Sequence, residues 1–220
     1  MPLVYYGVVS KVDFGSASFY AQTGKRAFDI VVSAALLILF APLFLIIAAL
    51  VSLDGASPFF SHRRVGLGGM PFPCYKFRSM VMDSDARLAQ VLATNAVAAE
   101  EWARDQKLTD DPRVTPIGNV LRRTSLDELP QLLNVLRGEM SLVGPRPVTE
   151  DELLRYGAFV RHYLAIRPGL TGLWQVSGRN ELSYEERVRL DVRYADRITF
   201  LGDLFILFRT AVIVLMMTGR

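Results

Sequence analysis

Two carboxylates stand side by side at Asp127 and Glu128, inside Thr124-Ser-Leu-Asp-Glu-Leu-Pro-Gln131, and cations crowd the same stretch of chain. Arg122 and Arg123 precede the pair, and Arg146 follows it between Pro145 and Pro147. Neighbouring residues on a helical turn do not share a face, so the two acids divide the work rather than serve one bond as an acid–base pair. A carboxylate can attack phosphorus or hold a hard cation, and arginine forks hold phosphate oxygens in pairs. Lys76 and Arg78 are further candidate phosphate contacts. Arg146 is the best directed of them, because the prolines on either side restrict its backbone. Downstream, Arg167-Pro-Gly-Leu-Thr-Gly172, Gln175 and Arg179 lie in a run of turns and short strands. The glycines there permit close backbone approach, and Arg167, Gln175 and Arg179 are candidates to read a nucleotide or a phosphate. These residue types point to phosphate chemistry.

Local structure around the acids has two readings. Ser125, followed three residues later by Glu128, matches a capping box, which would make Glu128 structural. Pro130 lies too deep for a helix that begins after Ser125, and a start at Asp127 fits it better. Either register sets Asp127 at a helix N-terminus, whose dipole favours the ionised carboxylate.

The elements that hold this stretch include a long apolar one. Ile30 through Leu53 contains no charged residue; Lys25, Arg26 and Asp29 precede it, and Asp54-Gly55 ends it. As a helix it would reach ~36 Å, enough for a ~30 Å hydrocarbon core. It does not read as a signal peptide, since it begins late and no small-residue cleavage site follows. Pro42 sits at its midpoint and removes a backbone hydrogen bond. Basic residues flank both ends, with His62, Arg63, Arg64, Lys76 and Arg78 on the far side, so the positive-inside rule assigns both flanks to the cytoplasm. A re-entrant helix broken at Ala41-Pro42 satisfies both observations, and a kinked spanning helix is the competing architecture. The last apolar run, Leu204 to Met217, is too short to span and contains Arg209, so it lies in the interface or packs on the body.

The remainder reads as an α+β fold, mostly helical. Arg64 to Arg78 is expected to form a hairpin turn between short strands. Residues 83–107 show apolar positions at helical spacing, from Leu88 and Val91 to Trp102, and are expected to form one helix. A second helix, 182–197, is dense in alternating charge and is expected to be a solvated, ion-paired surface. Residues 1–24 read as a loose arm with a strand at Val4 to Val9. The expected organisation is thus an arm (1–24), a membrane helix (25–54), a catalytic domain (55–203) and a C-terminal interfacial helix (204–220).

Composition narrows the partners. The 220 residues carry a net charge of +3, with a sequence pI near 9.1. That balance suits an anionic membrane face and excludes nucleic acid as the default partner. Cys74 is the sole cysteine, so neither an intrachain disulfide nor a cysteine-built zinc site can form. The two histidines, His62 and His162, can at most supplement a metal site made of carboxylates.

Four colinear motifs then resemble one family: Lys76-Phe-Arg-Ser-Met80, Leu121-Arg-Arg-Thr-Ser-Leu-Asp-Glu-Leu-Pro-Gln131, Gly138-Glu-Met-Ser-Leu-Val-Gly-Pro-Arg-Pro147, and Arg167-Pro-Gly-Leu-Thr-Gly172 with Gln175 following. In this order, from about residue 25 onward, they resemble the small monotopic phosphoglycosyl transferases, bacterial sugar transferases that initiate exopolysaccharide assembly on polyprenol phosphate. The resemblance implies a membrane-bound enzyme on the cytoplasmic face of the bacterial inner membrane. It implies Asp127 as nucleophile toward a UDP-sugar and Glu128 as its partner near Mg²⁺ (or Mn²⁺). Lys76, Arg122 and Arg146 would then be phosphate contacts, and polyprenol phosphate would accept the sugar phosphate with galactose or glucose as the sugar. It also implies a re-entrant helix, although the family's break is typically Ser-Pro where this chain has Ala41-Pro42. A membrane-attached Mg²⁺-dependent phosphatase or pyrophosphatase and a non-enzymatic membrane scaffold are the alternative functions; the scaffold leaves Asp127, Glu128 and Arg146 without a role. Self-association is compatible with the sequence but is not read from it.

Overall fold

The computed structural model describes residues 19–105, 108–178 and 182–216. The expected strand at Val4 to Val9, and Arg179, lie outside the described residues. A helical turn, Tyr20–Gly24, leads into helix α1, Lys25–Val51. Strands β1 (Phe59–Val65) and β2 (Pro71–Phe77) form an antiparallel hairpin, as the turn residues between them require. Helices α2 (Ser84–Thr94) and α3 (Ala96–Asp105) follow, then α4 (Pro116–Thr124) and α5 (Gln131–Arg137). Strand β3 (Ser141–Val143) pairs in parallel with β4 (Gly169–Thr171) across the short helices α6 (Glu150–Leu154) and α7 (Val160–Leu164). Helices α8 (Tyr184–Asp196) and α9 (Phe200–Leu215) close the chain.

Helix α1 is the only described helix long and apolar enough to cross a membrane, judged by length and composition. The expected break is not a break in secondary structure: the helical backbone runs through Ala41 and Pro42, both on the exposed side of α1. The inner face is a continuous stripe in which Asp29, Ser33, Ile47 and Val51 are buried. Toward its start, Phe28, Val32 and Leu36 pack on the core around Leu132, Val135 and Met140; toward its end, Leu43, Phe44 and Ala48 pack on Phe77 and Leu121. The outer face stays apolar and bare, with Val31 67%, Ile38 78%, and Leu39 and Leu45 69% exposed. A soluble domain does not leave that much contiguous apolar surface without a partner.

Both ends of α1 are tied to the same body. Near its start, Asp29 accepts hydrogen bonds from the Ser141 hydroxyl (3.1 Å) and the Leu142 N–H (3.0 Å), and Arg26 donates to the Val135 and Leu136 carbonyls at the end of α5. At its end, Arg78 donates to the Val51 carbonyl (2.9 Å) and grips Asp54 with two bonds of 2.6 Å. Arg78 is buried and committed to this C-terminal cap, with a further bond to the Ser57 carbonyl, which is a structural use that sequence spacing did not reveal.

Two helical expectations change. The segment 83–107 is two helices, because Asn95 takes an extended conformation (φ −129°, ψ 100°) and its side chain caps α3 through the Ala98 N–H. The charged helix α8 is not solvated all round: Val188, Asp191, Tyr194 and Ala195 are buried. Asp191 is only 4% exposed; Tyr156 donates to one of its oxygens (2.8 Å), and the other oxygen has no partner among the described residues. Burial pushes its carboxyl up to about 7, against the hydrogen bond from Tyr156.

That shift carries a sign. The folded state holds the proton of Asp191 more tightly than the unfolded chain, so the contribution is fully present below pH 3.8 and is lost as pH rises through about 7. The lost stability is on the order of 4 kcal/mol. Asp191→Asn is therefore expected to unfold at higher temperature than the wild type at pH 8, with the gap closing toward pH 4. Thermal unfolding in detergent across that range measures it; a gap independent of pH would refute the assignment.

Candidate active site

The site is assembled where the end of α4 meets strand β2. Helix α4 stops at Ser125, the one described non-glycine residue with a left-handed backbone (φ 57°), which turns the chain sharply into a single helical turn, Leu126–Glu128. Helix α5 starts only at Gln131, after Pro130. Ser125 makes no capping bond, so the capping box does not form, and Asp127 lies a turn ahead of α5 rather than at its N-terminus. Glu128 is thereby released from a structural role.

Asn134, fully buried on α5, fixes this turn against β2. Its side chain accepts from the Tyr75 N–H (3.0 Å) and donates to the Pro73 carbonyl (2.7 Å), substituting for a strand partner along the hairpin edge. From the other face Phe77 packs on Phe44 of α1 (ring centroids 4.8 Å apart) and on Phe59 (5.6 Å). Lys76, between these anchors, has little freedom. Its ammonium donates to Glu128 (2.6 Å) and stands 3.6 Å from Asp127.

Electrostatics follow from this packing. Burial pushes the Asp127 carboxyl above its ordinary range; Lys76 pulls it down, the neighbouring Glu128 adds to the rise, and Arg122 again opposes it. Asp127 stands in the first turn of the short helical segment Leu126–Glu128 rather than of α5, and its own backbone N–H adds a smaller lowering effect to that of the two cations. Burial also opposes the charge on Lys76, but the two carboxylates outweigh it and hold the ammonium above its usual value. Arg122 is held by a bond from Nε to the Ser79 hydroxyl (2.9 Å).

Arg146, which lines the same cleft as Lys76 and Glu128, stands on a loop that the glycines make possible. A Cβ on Gly169 would lie 2.1 Å from the Gly144 nitrogen, and one on Gly172 would lie 2.3 Å from the Gly144 carbonyl oxygen, so only glycine admits this crossing of the two strand ends. Backbone bonds from Gly144 to Thr171 (2.9 Å) and from Gly169 to Pro145 (2.8 Å) lock the crossing just before Arg146. Arg146 itself is exposed.

A cleft joins these parts, lined by Lys76, Glu128, Arg146 and Gln175 together with Arg64, Cys74 and Gln131. Arg64 and Gln131 are not singled out as candidates by the sequence; the first reads as membrane-flanking charge, and the second appears only at the end of the Leu121–Gln131 motif. Cys74 forms part of the wall as a thiol that burial pushes up to about 11, so it is not a nucleophile. Two candidates lie elsewhere. Arg78 caps α1, and Arg167 donates to the Gly138 carbonyl (2.8 Å) at the end of α5. Both organise the backbone beneath the site.

The donor set bears on metal binding. No cluster of three or more His, Cys, Asp or Glu side chains gathers among the described residues. Asp127 and Glu128 offer two hard oxygen donors at a place where the protein already gathers positive charge, a set that suits Mg²⁺ or Mn²⁺ when phosphate oxygens supply the remaining positions.

Comparison with known proteins places this site in a family. The family model described as bacterial sugar transferase matches residues 20–217. The exopolysaccharide production protein ExoY of Sinorhizobium fredii is 53% identical over 187 residues, which cover 84% of this chain and 83% of that protein. The undecaprenyl-phosphate galactose phosphotransferase of Salmonella typhimurium is 52% identical over 195 residues, covering 89% of this chain but 41% of that protein. The UDP-glucose:undecaprenyl-phosphate glucose-1-phosphate transferase of Caulobacter vibrioides is 41% identical over 196 residues, covering 84% of this chain and 67% of that protein. The chain thus spans most of the ExoY protein and less than half of the Salmonella enzyme. With Glu128, Lys76 and the proline-flanked Arg146 lining one cleft and Asp127 buried 3.6 Å from the Lys76 ammonium, the chain belongs to the bacterial sugar transferase family.

Proposed function

We propose that the protein transfers a sugar-1-phosphate from a UDP-sugar to undecaprenyl phosphate, the first membrane step of exopolysaccharide assembly. The observation that carries the reading is the placement of Asp127, buried beside Glu128 and 3.6 Å from the Lys76 ammonium, in a chain of this family. In the first half-reaction an Asp127 carboxylate oxygen bonds to the β-phosphorus of the donor. The bond from that phosphorus to the bridging oxygen breaks, and the electron pair leaves with UMP. In the second, an oxygen of the lipid phosphate attacks the same phosphorus and the carboxylate departs, leaving a diphosphate-linked sugar. Splitting one displacement into two is what a nucleophilic carboxylate contributes. Lys76 and Arg146 hold phosphate oxygens, and Lys76 keeps Glu128 and Asp127 from repelling one another. Asp127 and Glu128 would hold Mg²⁺, and the cation would supply neutralisation of the phosphate charge.

The test is UMP release across a panel of UDP-sugars, with galactose and glucose first. UMP should accumulate catalytically only when polyprenol phosphate is added. Release of free sugar phosphate without that acceptor would favour a phosphatase, and an untouched donor would favour a scaffold.

The membrane arrangement in this proposal is one-sided. Both ends of α1 bind the same body, through Asp29 and through Val51, while its outer face and the exposed Leu201, Phe205 and Phe208 of α9 are bare and apolar. These faces enter one leaflet from the cytoplasmic side, where the nucleotide donor is found. In a Cys74→Ser background, single cysteines at Ser10 and Ser61 should both resist a membrane-impermeant thiol reagent in intact cells and react once the membrane is opened. Labelling of the Ser10 site from outside would establish a spanning helix instead.

A further inference from the structure

The cleft contains an arginine to which the family reaction, as laid out above, gives no task. Arg64 is the penultimate residue of β1 and lines the cleft with Lys76, Glu128 and Arg146. Its side chain is 20% exposed, and its Nη1 donates to Glu152 Oε2 (2.7 Å). Glu152 is itself fixed: it closes the capping box of α6, accepting from the Thr149 N–H (2.9 Å). Burial works against its charge, but Thr149 together with Arg64 and Arg146 holds the Glu152 carboxyl below its ordinary range, so both arginines act on one anchored carboxylate.

The backbone binds the two arginines into one platform. The Val65 N–H, next to Arg64, donates to the Val148 carbonyl (2.9 Å), two residues beyond Arg146. The Tyr163 hydroxyl bridges the same two segments, donating to the Val65 carbonyl (2.7 Å) and accepting from the Val148 N–H (3.2 Å). Glu152 uses only Nη1 of Arg64; Nε and Nη2 have no protein acceptor among the described residues. A half-buried guanidinium with spare donors at a cleft wall is an incomplete anion site.

We propose that Arg64 and Arg146 together hold the α-phosphate of the donor and of the departing UMP, opposite the wall where Asp127, Glu128 and Lys76 act on the β-phosphate. This rests on the reading of the site as a phosphoryl-transfer centre using a nucleoside diphosphate sugar. When the bond to the β-phosphorus breaks, the bridging oxygen takes the electron pair, and the phosphate on UMP gains a negative charge. A guanidinium fixed at that phosphate therefore gains more in the transition state than in the ground state. Glu152 serves to aim Arg64, and its single bond keeps the fork turned so that the other nitrogens remain for the ligand.

The experiment compares UMP with uridine as ligands of the full-length protein in detergent, beside exchange of labelled UMP into the UDP-sugar without lipid acceptor. Arg64→Gln should weaken UMP at least about tenfold while leaving uridine unchanged, and should slow the exchange at saturating donor by a similar factor. Equal losses for UMP and uridine would mean that Arg64 only shapes the wall, and that result overturns the proposal, as does UMP binding at wild-type strength. Should Arg64→Gln fail to fold, Arg64→Lys retains a charge for Glu152 but loses the fork. Its advantage of UMP over uridine should fall by about threefold or more, and an unchanged advantage would refute the assignment. A wild-type protein that binds neither UMP nor UDP-sugar would instead remove the donor reading itself.

Discussion

Asp127→Asn is expected to lower turnover by at least about 10³-fold, the range seen when a nucleophile is removed from an otherwise intact site. An amide oxygen cannot displace UMP, yet its shape matches and Lys76 keeps its bond to Glu128 (2.6 Å). Stability should not suffer. Because burial already pushes the Asp127 carboxyl up, a neutral side chain at that position is tolerated at least as well as the charged one. The variant should therefore melt at or above the wild-type temperature near neutral pH while being inactive. Intact-mass measurement of the wild type with donor and no acceptor should show a mass gain of one sugar phosphate, which peptide mapping places on Asp127. Near-normal turnover in the asparagine variant would end the covalent proposal.

Removing divalent cations is expected to have a comparable effect. Two carboxylates make a weak site for Mg²⁺ by themselves, and a lysine 2.6 Å from one of them competes for the same charge. Phosphate oxygens must complete the coordination. Chelation should accordingly abolish UMP release, and Mg²⁺ or Mn²⁺ should restore it. Cation binding measured directly should be weak in the protein alone and strengthen when UDP-sugar is added. Full activity after exhaustive chelation would count against metal-assisted transfer, and tight Mg²⁺ binding without nucleotide would count against a site completed by substrate.

These two results bear on Asp127 and Glu128, which the sequence exposed by type and adjacency alone. The same holds for Arg146 between its prolines, for the hairpin that carries Lys76, and for the apolar segment from Ile30 to Leu53. In each case the determining physics is local: a proline fixes its own backbone, a glycine-rich turn joins two strands, and an uncharged run of helical length announces itself. The site's composition was therefore legible before its shape was.

Tertiary structure decided which of many similar cations reach the cleft. Arg64 on β1 and Arg78 just past the end of β2 look alike in sequence. One lines the cleft because Glu152, 88 residues away, fixes it there; the other is spent capping α1 through Val51 and Asp54. Arg167 was likewise taken by the end of α5. The split at Asn95, the failed capping box at Ser125 and the burial of Asp191 were not legible either. The first two are set by backbone conformations that side-chain periodicity does not specify, and the third by Tyr156 on a distant segment, which spacing along α8 cannot encode. The sequence by itself determined the chemistry available to this protein. The fold determined which charges meet a substrate and which hold up the walls.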